Sequence, residues 1–289
     1  MDMHQIAPGI YIEDAFAGVT LGALILPHGT IMVDAPLRAE DARSWRASLT
    51  NLSIGSNRIL VNLDAHLDRT LGSRALDSTI VAHQITAQVF RNRPPVFKGH
   101  SADSGAEWEV SNDVFGTRWA IPDITFSDRL YFHWGGPEII LEHHLGPTQG
   151  SIWVLIPSAK VVFVGDTILN DQPPFLASAD LPAWIESLEL LKTSYKQYTI
   201  ISGRGGSNGI DSIRSQLRIL KKILRGLEKL AKKDAPPEMT EGLISSLISG
   251  MSLPTNRRKH YIQRLRHGLY YYYSQHYLTL EALEQDKPR

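Results

Sequence analysis

Along the first two thirds of the chain, short apolar runs alternate with polar breaks, and beyond residue 210 the apolar positions recur only at helical steps. Residues 9–12 and 19–26 have strand character. The Pro27-His28-Gly29-Thr30 turn then leads into Ile31-Met32-Val33, an antiparallel opening. Residues 39–49 carry helical periodicity, and Arg58-Ile59-Leu60-Val61-Asn62-Leu63 is an apolar run suited to a strand covered on both faces. Further strands are expected at 79–82, 129–133, 138–143, 151–156, 161–164 and 198–201, with helices at 85–91 and 181–194. Strands and helices mix without strict alternation. That pattern predicts an α+β chain with two sheets sandwiched between helices rather than one doubly wound parallel sheet.

From Ile210 onward, Ile213, Leu217, Leu220, Leu224 and Leu227 mark the apolar stripe of a helix whose other positions carry Lys and Arg. Pro236-Pro237 ends it, and two further helices are expected at 238–249 and 256–284. The formal charge of zero conceals an asymmetry. Residues 210–289 hold 15 Lys and Arg against 8 Asp and Glu, a net +7, and residues 1–209 carry the opposite −7. The expected division is therefore a main domain, 1–209, and a basic helical extension, 210–289, packed on it or at a homodimer interface.

With no cysteine among 289 residues, disulfide frameworks, cysteine zinc sites and cysteine nucleophiles are excluded, and any metal must rest on His, Asp or Glu. No apolar run approaches membrane-spanning length and the N-terminus lacks a signal-peptide pattern, so a cytoplasmic protein with no membrane partner is expected. The basic tail with its run Tyr270 to Tyr273 has ingredients of a nucleic-acid surface. The pI near 7.2 argues against a dedicated binder, and tyrosines all round a helix argue for packing on several sides.

The chemistry concentrates in Asn62-Leu63-Asp64-Ala65-His66-Leu67-Asp68-Arg69-Thr70-Leu71-Gly72. If the strand persists, alternation aims Asp64, His66 and Asp68 the same way, a plausible seat for a divalent metal. The same residues equally suit polar caps after a strand, and spacing alone leaves both readings open.

Asp64-Ala65-His66-Leu67-Asp68-Arg69 after a buried strand resembles the H-x-H-x-D-H motif of the metallo-β-lactamase fold superfamily. Downstream, Gly146-Pro147-Thr148-Gln149-Gly150-Ser151 resembles that family's Gly-His-Thr-x-Gly-Ser loop. Residues 161–166, ending in Gly165-Asp166, are similar to its strand ending in Gly-Asp, and Gly203-Arg204-Gly205 to its Gly-His-Gly turn. The resemblance spans roughly residues 8–206 and implies an αββα sandwich with a helical C-terminal extension.

In the family, two alternating histidines and the loop histidine hold one metal. The motif's aspartate and last histidine hold a second with the late histidine, and the strand-end aspartate bridges both. Carried over by position, His66, Asp68 and Asp166 remain, whereas Asp64, Arg69, Pro147 and Arg204 stand where histidines are expected. Proline and arginine are not ligands. The resemblance thus implies at most one divalent ion, zinc, iron or manganese, on Asp64, His66 and Asp166 with water completing its shell, or none. Asp68 is then the candidate base, and Arg69 and Arg204 are candidate catalytic groups. The two arginines either replace the second ion by pairing with Asp68 and Asp166, or bind an anionic ester substrate. A guanidinium 4 Å from an ion repels it by about 4 kcal/mol per pair of unit charges at an effective dielectric near 20. The expected function is water-mediated hydrolysis of an unidentified small molecule. The alternative is a catalytically inactive, metal-free relative acting in binding or scaffolding.

Other residues carry weaker expectations. His143 and His144 have two readings, a substitute for the histidine replaced by Pro147 or a position facing the sheet exterior, and His133 and Trp134 mark a strand end. The long loop 97–119 is a candidate lid over the cleft, and Trp108 and Phe175 are candidates for its apolar walls or for packing beneath their own loops.

Overall fold

The computed structural model describes residues 3–53, 55–99 and 104–278. Seven strands form the first sheet in sequence order: β1 (His4–Ala7), β2 (Ile10–Glu13), β3 (Leu21–Leu26), β4 (Gly29–Val33), β5 (Asn57–Val61), β6 (Thr79–His83) and β7 (Ile124–Phe126). The first four pair as antiparallel neighbours and the last four as parallel ones. Parallel pairing requires a crossover. Helix α1 (Ala39–Thr50) supplies it between β4 and β5, and α2 (Gln84–Asn92) follows β6.

The second sheet has the order β13-β12-β11-β10-β9-β8, built from β8 (Arg129–Phe132), β9 (Ile139–His143), β10 (Ile152–Ile156), β11 (Val161–Leu169), β12 (Thr199–Arg204) and β13 (Ser207–Asn208). Helix α3 (Leu181–Ser194) makes the crossover between the parallel pair β11 and β12. Three helices end the described chain: α4 (Ile210–Ala231), α5 (Ile244–Ile248) and α6 (Arg258–Tyr277).

Three apolar layers hold the sandwich together. Ile31, Val33, Val61 and Val81 of the first sheet meet Leu141, Val154, Phe163 and Ile201 of the second in the central layer. Trp45 and Leu49 of α1 cover the outer face of the first sheet over Met32, Leu60 and Ile80. On the far side, Trp153, Val162, Val164 and Ile200 lie under α3 and α4, with Leu265, Leu269, Tyr272 and Tyr273 of α6 in the same cluster. The architecture is the expected α+β, αββα sandwich with helical layers outside both sheets.

The differences from the sequence pattern have local causes. Strands β1, β7 and β13 have four, three and two residues, too short to show a period. The helix expected at 238–249 is a 3-10 helix, Pro237–Leu243, running into a single turn of α5, with Gly242, a poor helix former, near the junction. Of the helix expected to reach residue 284, the positions past 278 lie outside the described residues. Among the described residues, no helix is long and apolar enough to cross a membrane.

Side chains of α4 and α6 share one buried cluster with α3 and the second sheet. Ile213, Leu217, Leu220, Ile223 and Leu227 of α4 are buried, while Lys221, Lys222, Arg225 and Lys229 face solvent. Of the four consecutive tyrosines, Tyr272 and Tyr273 are buried and Tyr273 donates to the Ala235 carbonyl at 2.8 Å, which withdraws them from any stacking surface. Charge complementarity contributes two contacts, Lys221 to Glu189 at 2.8 Å and Arg257 to Glu107 at 3.0 Å. Apolar burial therefore dominates the docking. A chain ended at Ser207 is expected to expose the α3 face and aggregate or lose its cooperative unfolding transition. A soluble truncation with an unchanged Tm would contradict this packing.

Candidate functional site

The site forms where four connections leave the strands at one end of the sandwich. The β5 direction persists only to Leu63, whose N–H donates to Asp34 Oδ1 at 2.9 Å and whose carbonyl accepts from Ile152 N–H at 2.9 Å. Asp64 then folds the chain back, its Oδ1 accepting from the His66 N–H at 2.8 Å, and Leu67–Arg69 form a 3-10 turn capped by His66. The alternation expected to aim Asp64, His66 and Asp68 together therefore stops before them. Asp166 enters from β11 just after Gly165, whose φ of +58° and local register shift mark a bulge that re-aims the strand. Arg204 ends β12.

Arg69 is completely buried and pairs with three carboxylates. Its Nη1 donates to Asp34 Oδ2 at 3.1 Å, its Nη2 donates to Asp166 Oδ1, and its Nε lies 3.5 Å from Asp64 Oδ1. A side chain on Gly203 would overlap this guanidinium, so the residue before Arg204 must be glycine. Arg204, 3% exposed, donates from Nε to Asp166 Oδ1 at 3.1 Å, from Nη1 to Asp68 Oδ2 at 2.8 Å and from Nη2 to His66 Nδ1 at 3.0 Å. Arg204 thus faces Asp68 and Asp166 as the sequence leads one to expect, whereas Arg69 faces Asp166, Asp64 and Asp34 instead of Asp68. The Nη groups of Arg69 and the Nε, Nη1 and Nη2 of Arg204 are directed into the cluster, and Arg69 Nε is buried without a hydrogen-bond partner among the described residues.

Asp68 is equally committed. Its carboxylate accepts from the Glu107 and Trp108 N–H groups at 3.0 and 2.8 Å besides Arg204, so the expected base has no free oxygen directed at a substrate. Burial raises its proton affinity, but Arg204 and His66 outweigh that and hold it below the usual carboxylate range. Asp166 follows the same pattern: burial opposes ionisation, and Arg204 with Arg69 overrides it. In Asp34 burial wins over Arg69, and its pKa is pushed up to about 7. Burial, with Arg204 adding to it, lowers His66 to about 4, so its ring is neutral at physiological pH.

The His66 tautomer follows from its neighbours. Nδ1 receives the Asp68 N–H at 3.3 Å and an Arg204 N–H at 3.0 Å, and arginine only donates, so Nδ1 is an acceptor and the proton sits on Nε2. No lone pair on this ring is left for a metal. With Asp64 and Asp166 both on Arg69 and Asp166 also on Arg204, the three expected ligands converge on guanidinium groups rather than on a common cation position. Among the described residues, no group of three or more His, Asp or Glu side chains is arranged to hold a metal ion. The residues present do not fit the metal that the sequence resemblance implies.

The substitute histidines are engaged elsewhere. His143 stacks on His83 at 3.9 Å with its Nε2 on the Gln149 carbonyl, and His144 stacks on Trp153 at 3.6 Å with its Nε2 on Glu142. Loop 97–119 serves the site by its backbone, through the N–H groups that hold Asp68, while Trp108 packs edge-on against Phe97 inside the loop. Positions 100–103 of that loop lie outside the described residues. Phe175 is at the site itself, its ring 4.4 Å from His66, 4.8 Å from the Arg204 guanidinium carbon and 3.8 Å from that of Arg264. Two participants escape a reading of the sequence. Asp34 was signalled only by an acid directly after an apolar strand, and Arg264, buried and donating twice to the Gly105 carbonyl at 2.9 and 2.6 Å, by nothing local.

The two-sheet sandwich with polar groups gathered at the ends of β5, β11 and β12 defines the αββα class of hydrolase-like folds. Residues 24–203 match the family model described as the metallo-beta-lactamase superfamily, so this chain belongs to that superfamily. A metallo-beta-lactamase type 2 of Pseudomonas aeruginosa is 20% identical over 250 residues, covering 82% of this chain and 89% of the relative. A metallo-beta-lactamase structure from Pontibacter korlensis superposes with a TM-score of 0.60 at 18% identity, covering 76% of this chain and 98% of that one. At that identity the likeness concerns the fold alone.

Two outcomes follow from the network. Arg69→Met removes the guanidinium facing buried Asp34 and Asp64 and one of the two on Asp166, and is expected to cost about 3–5 kcal/mol of stability at pH 7, read by denaturant unfolding. A cost below 1 kcal/mol would mean that Arg69 is not their counter-ion. Asp34, with its folded pKa raised, contributes stability that is complete below its unfolded pKa of about 4 and lost as the pH rises towards 7. The Tm of Asp34→Asn relative to wild type should therefore climb between pH 4 and 7 and then level off. Parallel curves would show that Asp34 ionises as freely folded as unfolded.

Proposed function

We propose that this chain is a metal-free, non-hydrolytic member of its superfamily that acts by binding a ligand beside the former metal centre. The reading rests on one observation above all: Asp166 accepts from both Arg69 and Arg204, and Arg204 also occupies Asp68 and His66 Nδ1. Charge accounting favours the same view. Two divalent ions bring +4 to such a cluster, and two guanidiniums bring +2. The remainder is met by Asp34 moving towards protonation and by Arg264 stacked above Phe175. A guanidinium supplies positive charge and directed hydrogen bonds, but it has no open coordination position on which to activate water. Hydrolysis through one ion on Asp64, His66 and Asp166 would require both arginines to withdraw from a buried network, leaving donors and carboxylates unpaired.

Metal analysis of protein purified without chelator is expected to find zinc, iron and manganese far below stoichiometric, and a chromogenic β-lactam is expected to remain uncleaved with or without added zinc. One tightly bound ion per chain, or β-lactam turnover abolished by His66→Ala, would overturn this reading in favour of single-metal hydrolysis.

A further inference from the structure

We infer that the cavity beside His66 binds a small organic anion, a carboxylate carried on an apolar body, with Arg93 and the His66 Nε2–H as its donors. The inference rests on the metal-free reading above, because a ring nitrogen engaged with an ion has no proton to donate. The cavity encloses about 550 Å³, a volume suited to an organic molecule of moderate size. Leu67, Ile85, Val89 and Trp108 give it an apolar wall, and His267 and His276 of α6 line it as well.

Its polar end lies beside residues 65 and 66. The Arg93 Nη2 donates to the Ala65 carbonyl at 2.7 Å, which seats the guanidinium next to His66. Its Nη1 is buried and has no hydrogen-bond partner among the described residues. The aromatic rings of Trp119 and Phe90, at 4.6 and 5.1 Å, hold the guanidinium in place. Burial lowers the Arg93 pKa to about 10, with Asp64 pulling the other way, so the group stays charged at neutral pH. A buried cationic donor without an acceptor is costly, and an anionic oxygen removes that cost.

His66 lines the same cavity, and with its Nδ1 accepting from Arg204 the ring proton is on Nε2, to which no hydrogen bond is made among the described residues. One acid, Glu109, also lines the cavity. Its oxygens are turned into their own loop, Oε1 accepting from the Ser104 N–H at 2.9 Å and from the Ser104 hydroxyl, and Oε2 from the Gly105 N–H at 3.0 Å. Arg93 and His66 therefore bring a cationic guanidinium and a ring N–H to the lining of one chamber, beside its apolar wall. That combination selects a carboxylate with an apolar body over a neutral or cationic amphiphile.

Calorimetric titration of the full chain with decanoate, 1-decanol and decyltrimethylammonium tests this. Decanoate is expected to bind saturably and about ten-fold or more tighter than decanol, as a charge-assisted hydrogen bond implies, with the ammonium compound weakest. Arg93→Met should weaken decanoate by about the same factor and leave decanol unchanged. Val89→Trp, a substitution at a position 37% exposed on the rim, should obstruct both ligands, and it keeps the test open if Arg93→Met fails to fold. Absence of saturable decanoate binding, equal affinity for decanol, or an undiminished response in a folded Arg93→Met would overturn the inference. Metal analysis of the same sample separates the two readings. A stoichiometric ion refutes the metal-free reading, whereas ion-free protein indifferent to decanoate refutes this inference alone.

Discussion

The carboxylate of Asp166 lies between two buried guanidinium groups, and the arrangement of the whole site follows from that contact. Burial on its own would drive Asp166 to take up a proton, and an unpaired Arg69 at the same depth would be strongly destabilised. Each is tolerated because the other is there. Arg69 ties Asp166 to Asp34 at the end of the first sheet, and Arg204 ties it to Asp68 and His66 on the connection after β5. The two sheets of the sandwich are thus cross-braced at one end by charge, as their inner faces are joined by apolar contact.

The helical extension belongs to the same system. Arg264 of α6 reaches Gln172, Pro173 and Gly105 and stacks on Phe175, whose ring also contacts His66 and Arg204. A layer of protein therefore lies over the arginine network on the side of α6. Gly268 of the same helix would, if it carried a side chain, crowd Leu176, so the close approach of α6 to this segment depends on the small residue there. Docking of the extension, the position of Phe175 and the orientation of His66 are consequences of one packing arrangement.

Much of this was legible in the sequence and some was not, for identifiable reasons. Long apolar runs such as the one containing Ile59, Leu60 and Val61 announced the interior strands, because burial on both faces leaves an uninterrupted signal. The edge strands β1, β7 and β13, of two to four residues, left none. The order of four motifs located Asp64, His66, Asp68, Arg69, Asp166 and Arg204 in one neighbourhood, and the replacement of histidines by arginines foretold ion pairs. The pairing of Arg204 with Asp68 and Asp166 was foreseeable, but that of Arg69 with Asp34 and Asp64 was not, since it depends on the turn at Asp64, where alternation ends. Arg264 was out of reach for a different reason. It lies 159 residues from the carbonyl it binds, and only the tertiary path of α6 brings the two together.

The ring of His66 reports most directly on whether guanidinium groups have taken the place of metal. Nitrogen-15 NMR of the imidazole, recorded before and after addition of zinc, distinguishes a protonated from an unprotonated ring nitrogen and detects coordination at either. The account predicts an unprotonated, hydrogen-bond-accepting Nδ1 and a protonated Nε2, both unmoved by zinc. A zinc-dependent loss of the Nε2 proton, with the shift of a metal-bound nitrogen, would contradict it.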